Sequence, residues 1–283
     1  MILINGEILK TSYFSNTEVR IKEFTRYIKS AGNYIELKYE TERSNYKINN
    51  DLMILYFVKQ EFDSMGIDVS LVLWSMPYQR MDHKNADDIL TLPFVAKFLN
   101  DLNFKKILVI EPHSEKTKEY LRKDAVIVYP VADWINNAII NTDSDNVVVA
   151  FPDAGAYERY KDSLDTNIKT CVFSKKRDHK TNEIVHHKIL RGDIAKGSTC
   201  FIVDDICSSG GTLLDVADYA KSVGAAKVIV IVAHCENEAL KREILKPESS
   251  VDMMYTSNSM ISAVHPKIAY MKIDEENIRP WLK

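Results

Sequence analysis

Short apolar, β-branched runs recur along the chain at residues 69–74, 106–110, 146–151, 169–173, 200–203 and 227–232. Between them, apolar residues return at helical spacing over 50–65, 93–102, 156–164 and 213–223. Runs without polar alternation predict strands covered on both faces. Their alternation with amphipathic helices predicts βαβ units and mainly parallel sheets. The expected fold class is therefore α/β, with two doubly wound parallel-sheet domains. The two series join near 142–146, which predicts domains at 1–143 and 144–283, with the C-terminal tail free to pack back on the first. In open sheets of this kind, ligands bind beyond the carboxyl ends of the strands, so chemistry is sought there.

Composition narrows the picture modestly. The 283 residues, 46% apolar and 27% charged, suffice for two domains with real cores. A net charge of -3, with acids and bases interspersed, argues against a nucleic-acid or membrane-surface binder. Cys171, Cys200, Cys207 and Cys235 form no CxxC pair, and Cys171 and Cys200 lie in apolar runs. Buried free thiols in a reducing cytoplasm are expected. The opening MILINGEILK has no basic stretch followed by an apolar core, so no signal peptide is expected, and no apolar run reaches the length of a membrane span.

The most informative segment is FIVDDICSSGGT at 201–212. A buried strand runs into Asp204 and Asp205, then a loop of small residues, then a helix beginning near Leu213. Ser208, Ser209, Gly210, Gly211 and Thr212 offer hydroxyls and backbone N–H groups at a helix N-terminus, where free amides and the helix dipole both favour an anion. The two acids, read as standing at the sheet edge, suit sugar hydroxyls or a metal's water shell. The plain alternative is a capped helix after an acidic turn. The segment resembles the ribose-phosphate loop shared by phosphoribosyltransferases and phosphoribosyl pyrophosphate synthetases, and by itself it does not separate them.

Three further strand ends separate them. Residues 107–110 lead into Glu111-Pro112-His113-Ser114, residues 147–151 into Pro152-Asp153-Ala154-Gly155, and the run ending at Trp74 into SMPYQRMDHK at 75–84. Each has an ordinary reading: a structural histidine, a common turn, a solvated loop. In this order, however, they resemble the phosphoribosyl pyrophosphate synthetase family across nearly the whole chain. That resemblance implies phosphoribosyltransferase-type domains, the first binding ATP and the second binding ribose phosphate. It places Tyr78, Arg80, Asp82 and Lys84 on the family's ATP-gripping Tyr-x-Arg-x-Asp-x-Lys spacing. It also places His113 and Asp153 at the magnesium sites, with His113 counted among the catalytic residues. Phe14, Asn16 and Glu18 correspond to a segment that reaches into a neighbouring subunit's nucleotide pocket, and Lys175 and Arg177 to the basic start of a mobile catalytic loop. The implied reaction is transfer of the β,γ-diphosphate of ATP to the anomeric hydroxyl of a ribose phosphate, with Mg²⁺ as cofactor. The implied assembly is a homo-oligomer, with dimers building larger rings such as a hexamer.

The chain departs from the family pattern in places. Glu111-Pro112-His113 stands where Asp-Leu-His is usual, Ser208-Ser209 where an acid and a threonine are usual, and the run from Lys176 to Ile184 differs from the usual Lys-Arg-Arg. These variants resemble a divergent, phage-encoded subgroup linked to NAD salvage, acting in the host cytoplasm, whose acceptor is ADP-ribose. Ser208 in place of a carboxylate is expected to lower repulsion against a diphosphate-bearing acceptor. Ribose 5-phosphate remains the alternative acceptor, and a non-catalytic scaffold or a phosphoribosyltransferase the alternative functions. No nucleobase-binding hood is evident, which counts against the last. His179, His186 and His187 are expected to be surface residues, and His234-Cys235-Glu236 to lie near the sugar pocket without a nucleophilic role.

Overall fold

The computed structural model describes residues 1–30, 32–38, 48–84, 87–165, 167–177, 184–271, 273 and 278, with the backbone alone at 175–177 and 184–187. The chain divides into two compact units, Met1–Val128 with Ile273–Lys283, and Tyr129–Lys272.

The first unit opens with β1 (Ile2–Ile4) and β2 (Glu7–Ile8), a hairpin in the register Leu3↔Ile8 and Ile4↔Glu7. Its turn is Asn5-Gly6 with φ of 56° and 85°. Positive φ at both positions gives the turn a twist that matches the flanking strands, and Asn-Gly adopts it readily. A separate ribbon pairs β3 (Thr11–Tyr13) with β4 (Val19–Ile21). There follow β5 (Asn33–Leu37), α1 (Ile48–Ser64), β6 (Val69–Leu73), α2 (Leu92–Asp101), β7 (Ile107–Ile110), α3 (Lys116–Tyr120) and β8 (Val126–Val128). The sheet order is β2-β1-β5-β6-β7-β8, with β5 to β8 parallel and β1 antiparallel to both its neighbours. Ile54, Leu55, Val58 and Phe62 of α1 share a core with Leu92, Ala96 and Leu99 of α2 and with Ile35, Leu71 and Ile107 of the sheet. Each fully buried aliphatic side chain contributes about 1.5–3 kcal/mol, so these helical faces anchor the strands whose ends carry the polar loops.

The second unit runs α4 (Pro130–Ile140), β9 (Val147–Phe151), α5 (Ala154–Tyr160), β10 (Lys169–Arg177), β11 (Ile184–Arg191), β12 (Thr199–Cys207), α6 (Gly211–Ser222), β13 (Lys227–Cys235), β14 (Met253–Thr256) and β15 (Ile268–Tyr270). Its sheet order is β11-β10-β9-β12-β13-β14-β15, parallel apart from β11, which runs antiparallel beside β10. From β9 the chain winds outward to β10 and β11, then returns to β12 on the other side and winds the opposite way. The adjacent strands β9 and β12 therefore flank a topological switch point, where a doubly wound sheet opens a crevice at its carboxyl edge. Leu213, Val216, Ala217 and Ala220 of α6 bury against Ile202, Val228 and Val230, which fixes the helix start close behind β12.

Each predicted strand and helix is present, but three strands outrun their apolar cores. β10 continues to Arg177, β12 through Asp204 and Asp205 to Cys207, and β13 to Cys235. The two acids thus lie inside β12 and not beyond its end, because the ladder persists at Asp204↔Val232, Ile206↔His234 and Cys207↔Cys235. The helix after the loop starts at Gly211, ahead of Leu213. The division between the units falls after Val128, ahead of 142–146, since α4 packs on β12 and β13. All four cysteines are free and buried, and burial pushes the Cys171 thiol up to about 11 and that of Cys200 up to about 12. Such thiols are inert, being almost wholly protonated at neutral pH. Among the described residues, no helix is long and apolar enough to cross a membrane.

Candidate active site

The loop after β12 has the form its sequence implies. Ser208 is partly buried, Ser209 exposed, Gly210 buried, Gly211 exposed and Thr212 partly buried. Gly210 holds φ at 82° as the residue before α6, and no side chain caps this helix. The first turn of α6 thus begins without a side-chain cap, the arrangement in which free amides and the helix dipole favour an anion. By contrast, the N-terminus of α5 is already satisfied: Asp153 accepts from Ala156 N at 2.9 Å. The chain after β13 braces the loop at two points. Glu236 N donates to Cys207 O at 2.8 Å, and Ser208 Oγ donates to Glu236 Oε2 at 2.6 Å. A Cβ on Gly210 would come within 2.7 Å of Ile244, so that side chain forms the loop's floor.

Beside the loop, at the switch point, Asp205 meets one guanidinium, with Asp204 within reach of both and Asp153 within reach of Asp204. Arg159, projecting from α5, pairs with the buried Asp205 at 2.8 Å. Burial lowers the pKa of Arg159, but the charges of Asp205, Tyr160 and Asp204 outweigh it and leave the guanidinium more firmly protonated than usual. Asp204 moves the other way. Burial, then the adjacent Asp205, then Asp153 push its carboxyl well above the ordinary range, and Arg159 only partly opposes them. Asp204 consequently holds its proton more tightly in the folded protein than in the unfolded chain. Its favourable contribution is fully present below the unfolded value of about 3.9 and is lost as pH rises through the higher folded value. Asp204→Asn is therefore expected to be more stable than the native protein near neutral pH, with the gap closing on acidification. Thermal unfolding between pH 4 and 8 checks this, and two parallel curves would contradict it.

In the first unit, the hairpin tip carries Phe14, Asn16 and Glu18, all exposed, with Phe14 N bonded to Glu18 O at 2.9 Å and Glu18 N to Asn16 Oδ1 at 3.2 Å. The loop after β6 is held differently from a simple row of ATP-gripping side chains. Arg80 and Lys84 are exposed, and Tyr78 has φ at 60° with its hydroxyl bonded to Asn49. Asp82, however, is buried. Burial would raise its carboxyl, but Ser114, His83 and the nearby His113 hold it below the usual range. His83 Nδ1 lies 2.5 Å from Asp82 Oδ1, and Lys116 Nζ donates to Asp82 O at 2.9 Å. His113 N donates to Gln79 Oε1 at 3.2 Å. Asp82 thus ties the loop after β6 to the one after β7 and fixes the ground on which His113 stands.

Lys175 and Arg177 lie on β10, their backbone paired with β11 at Lys175↔His187 and Arg177↔Ile184, and their side chains are outside the described residues. So are His179 and the side chains of His186 and His187. His234 is buried, its Nδ1 2.8 Å from Ser259 Oγ. Arg159 carried no assigned role from sequence, and Glu236 was expected near the sugar pocket but not in contact with Ser208. Arg159 had one usable signal, its position on the helix opened by Asp153, whereas Glu236 is separated from Ser208 by 28 positions.

Among the described residues, no three His, Cys, Asp or Glu side chains gather into a metal cage. Magnesium needs none, because it keeps several waters and takes one or two carboxylates. Asp153 and Asp204, near enough for the charge of one to raise the pKa of the other, are donors of that kind.

The phosphoribosyl transferase domain family matches residues 117–267. Ribose-phosphate pyrophosphokinase 2 of Saccharomyces cerevisiae is 28% identical over 69% of this chain and 61% of its own length. Ribose-phosphate pyrophosphokinase 4 of the same yeast is 30% identical over 63% of this chain and 54% of its own. The match thus spans less than two thirds of either relative. In three dimensions, the phosphoribosylpyrophosphate synthetase of Mycobacterium smegmatis superposes with a TM-score of 0.78 at 18% identity, over 97% of this chain and 89% of that one, a likeness of fold. With a matching domain that carries the loop at 208–212 beside its switch point, the chain belongs to the phosphoribosyl transferase domain family, and its curated relatives are ribose-phosphate pyrophosphokinases.

Proposed function

We propose that this protein is a magnesium-dependent pyrophosphokinase that moves the β,γ-diphosphate of ATP onto the anomeric hydroxyl of a ribose 5-phosphate moiety, with ADP-ribose as its acceptor. The observation that carries the reading is the uncapped N-terminus of α6 beside Asp204 and Asp205 at the switch point, since it offers a phosphate cradle and sugar-hydroxyl acceptors side by side. The names of the relatives support the reaction type.

In this reading, the loop at 208–212 takes the acceptor's 5-phosphate, and Asp204 orients its ribose hydroxyls while the buried Asp205, paired with Arg159, supports it from behind. Tyr78, Arg80, Lys84 and the tip residues Phe14, Asn16 and Glu18 hold ATP, the tip completing a neighbour's site in a dimer-based homo-oligomer, while the buried Asp82 positions the loop. The anomeric oxygen attacks the β-phosphorus and gives up its proton to solvent, the bond from the β-phosphorus to the α-phosphate oxygen breaks, and AMP departs. Such transfers demand positioning and charge neutralisation more than covalent participation. Lys175 and Arg177 meet the charge on the transferred group, one as a point charge and the other as a planar fork. Asp153, with Asp204 near it, would hold Mg²⁺ largely through water in the second unit, and His113 is assigned to a magnesium site of the first; bound there, the ion would supply positive charge for the phosphates. The product from ADP-ribose feeds NAD salvage in the cytoplasm, that of the host if the chain is phage-encoded.

Ribose 5-phosphate, giving phosphoribosyl pyrophosphate, is the second reading, favoured by the names of the relatives. Lys175→Ala is expected to lower AMP release from ATP and acceptor by roughly 100-fold, the usual cost of removing one transition-state charge partner. Equal rates for the variant and the native protein would exclude the assigned role of Lys175 and return a scaffold function to first place.

A further inference from the structure

Replacing the family's loop acid by Ser208 implies a less negative phosphate loop. The structure corrects that expectation: Ser208 Oγ is bonded at 2.6 Å to the carboxylate of Glu236. The negative charge has not left the loop but has moved to the strand alongside, at the residue after β13. It is fixed there from both ends, because Glu236 N also donates to Cys207 O at 2.8 Å. Its backbone angles of -81° and 151° are those of an extended residue, which leads into the short helix at Asn237–Lys241.

We infer that Glu236 is a specificity-determining residue that selects the acceptor by the charge of its phosphate. This rests on the reading of the loop as the acceptor's phosphate cradle. A terminal phosphate monoester is close to a dianion at neutral pH, its second ionisation falling near 6. The phosphate attached to the same carbon in ADP-ribose is an anhydride diester and carries one charge. A diphosphate-bearing acceptor carries its second charge on the neighbouring phosphate, one unit further from the cradle, so the carboxylate beside the cradle repels the doubly charged monoester more strongly, the opposite sense to the expectation drawn from Ser208 alone. Ser208 acts through Glu236 as a positioning residue, holding the carboxylate at the loop.

The test uses the full chain and Glu236→Gln, which keeps the shape and can still accept from Ser208 while losing the charge. The ratio of kcat/KM for ribose 5-phosphate to that for ADP-ribose is expected to rise about tenfold. A second readout needs no turnover. By calorimetry at pH 8, affinity for inorganic phosphate relative to the singly charged dimethyl phosphate should rise by a similar factor. Ser208→Ala, which frees the carboxylate to swing away, should shift both ratios in the same direction by less. Unchanged ratios in Glu236→Gln would overturn the inference. If the native protein used ribose 5-phosphate and ignored ADP-ribose, the acceptor reading would fail, while the phosphate-to-diester ratio would still decide the role of Glu236.

Discussion

Arg159→Ala is expected to destabilise the protein by about 3–5 kcal/mol, the usual cost of leaving a buried charge without its partner. Asp205 has only 1% of its side chain exposed and Arg159 only 15%, so little water reaches the contact to replace what is lost. The effect extends beyond the pair. Arg159 is the cation that restrains the upward push of burial, Asp205 and Asp153 on Asp204. Without it, the carboxylates crowd one another at the switch point. Asp204 would then hold its proton to still higher pH, so the loss of stability should be greatest near neutrality and shrink towards pH 4. Denaturant unfolding at both pH values measures this directly. Arg159→Met combined with Asp205→Asn should recover most of the loss, since removing both charges leaves neither stranded. A single variant as stable as the native protein would show that solvent already screens the pair.

Gly210→Ala is expected to cost about 2–4 kcal/mol and to weaken inorganic phosphate binding at least tenfold. Two terms add. An L-residue at φ of 82° loses about 1–2 kcal/mol relative to glycine. The new methyl would then meet Ile244 Cδ1 and Cγ2, each at 2.7 Å, and overpacking of a filled site costs about 1–3 kcal/mol. Ile244 is fully buried, so it yields only by moving the chain that also carries Glu236. Because Gly210 sets the angle at which the amides of α6 meet the loop, the functional loss should exceed what lower stability alone produces. Denaturant unfolding and phosphate calorimetry on the same sample separate the two, and a stable variant with native phosphate affinity would contradict the assignment of this loop.

Much of this architecture is legible in the sequence because the central strands are covered on both faces and read as unbroken apolar runs. Val147–Phe151 and Lys227–Val232 needed no tertiary information. Where strands turn polar at their carboxyl ends, the same logic stops too early. Asp204 and Asp205 read as standing just beyond the strand, at the sheet edge, yet the ladder to β13 carries them inside it. Three edge strands were invisible for the opposite reason: β2, β8 and β15 are two or three residues long, too short to show a period. The Asn5-Gly6 hairpin could have been found, since that dipeptide between apolar residues is a strong turn signal. The form of the loop at 208–212, small residues leading into a helix, was readable because its signal is local. Arg159 with Asp205, and Glu236 with Ser208, were not, because parallel crossovers bring together residues that no local pattern links.

The central claim is the reaction itself, and the most direct measurement follows AMP and the pyrophosphorylated sugar by mass spectrometry, with ATP, Mg²⁺ and either ADP-ribose or ribose 5-phosphate. The account predicts AMP in equal amount to ADP-ribose pyrophosphate, with little product from ribose 5-phosphate. Product chiefly from ribose 5-phosphate would contradict the acceptor, and no AMP from either acceptor would contradict the pyrophosphokinase.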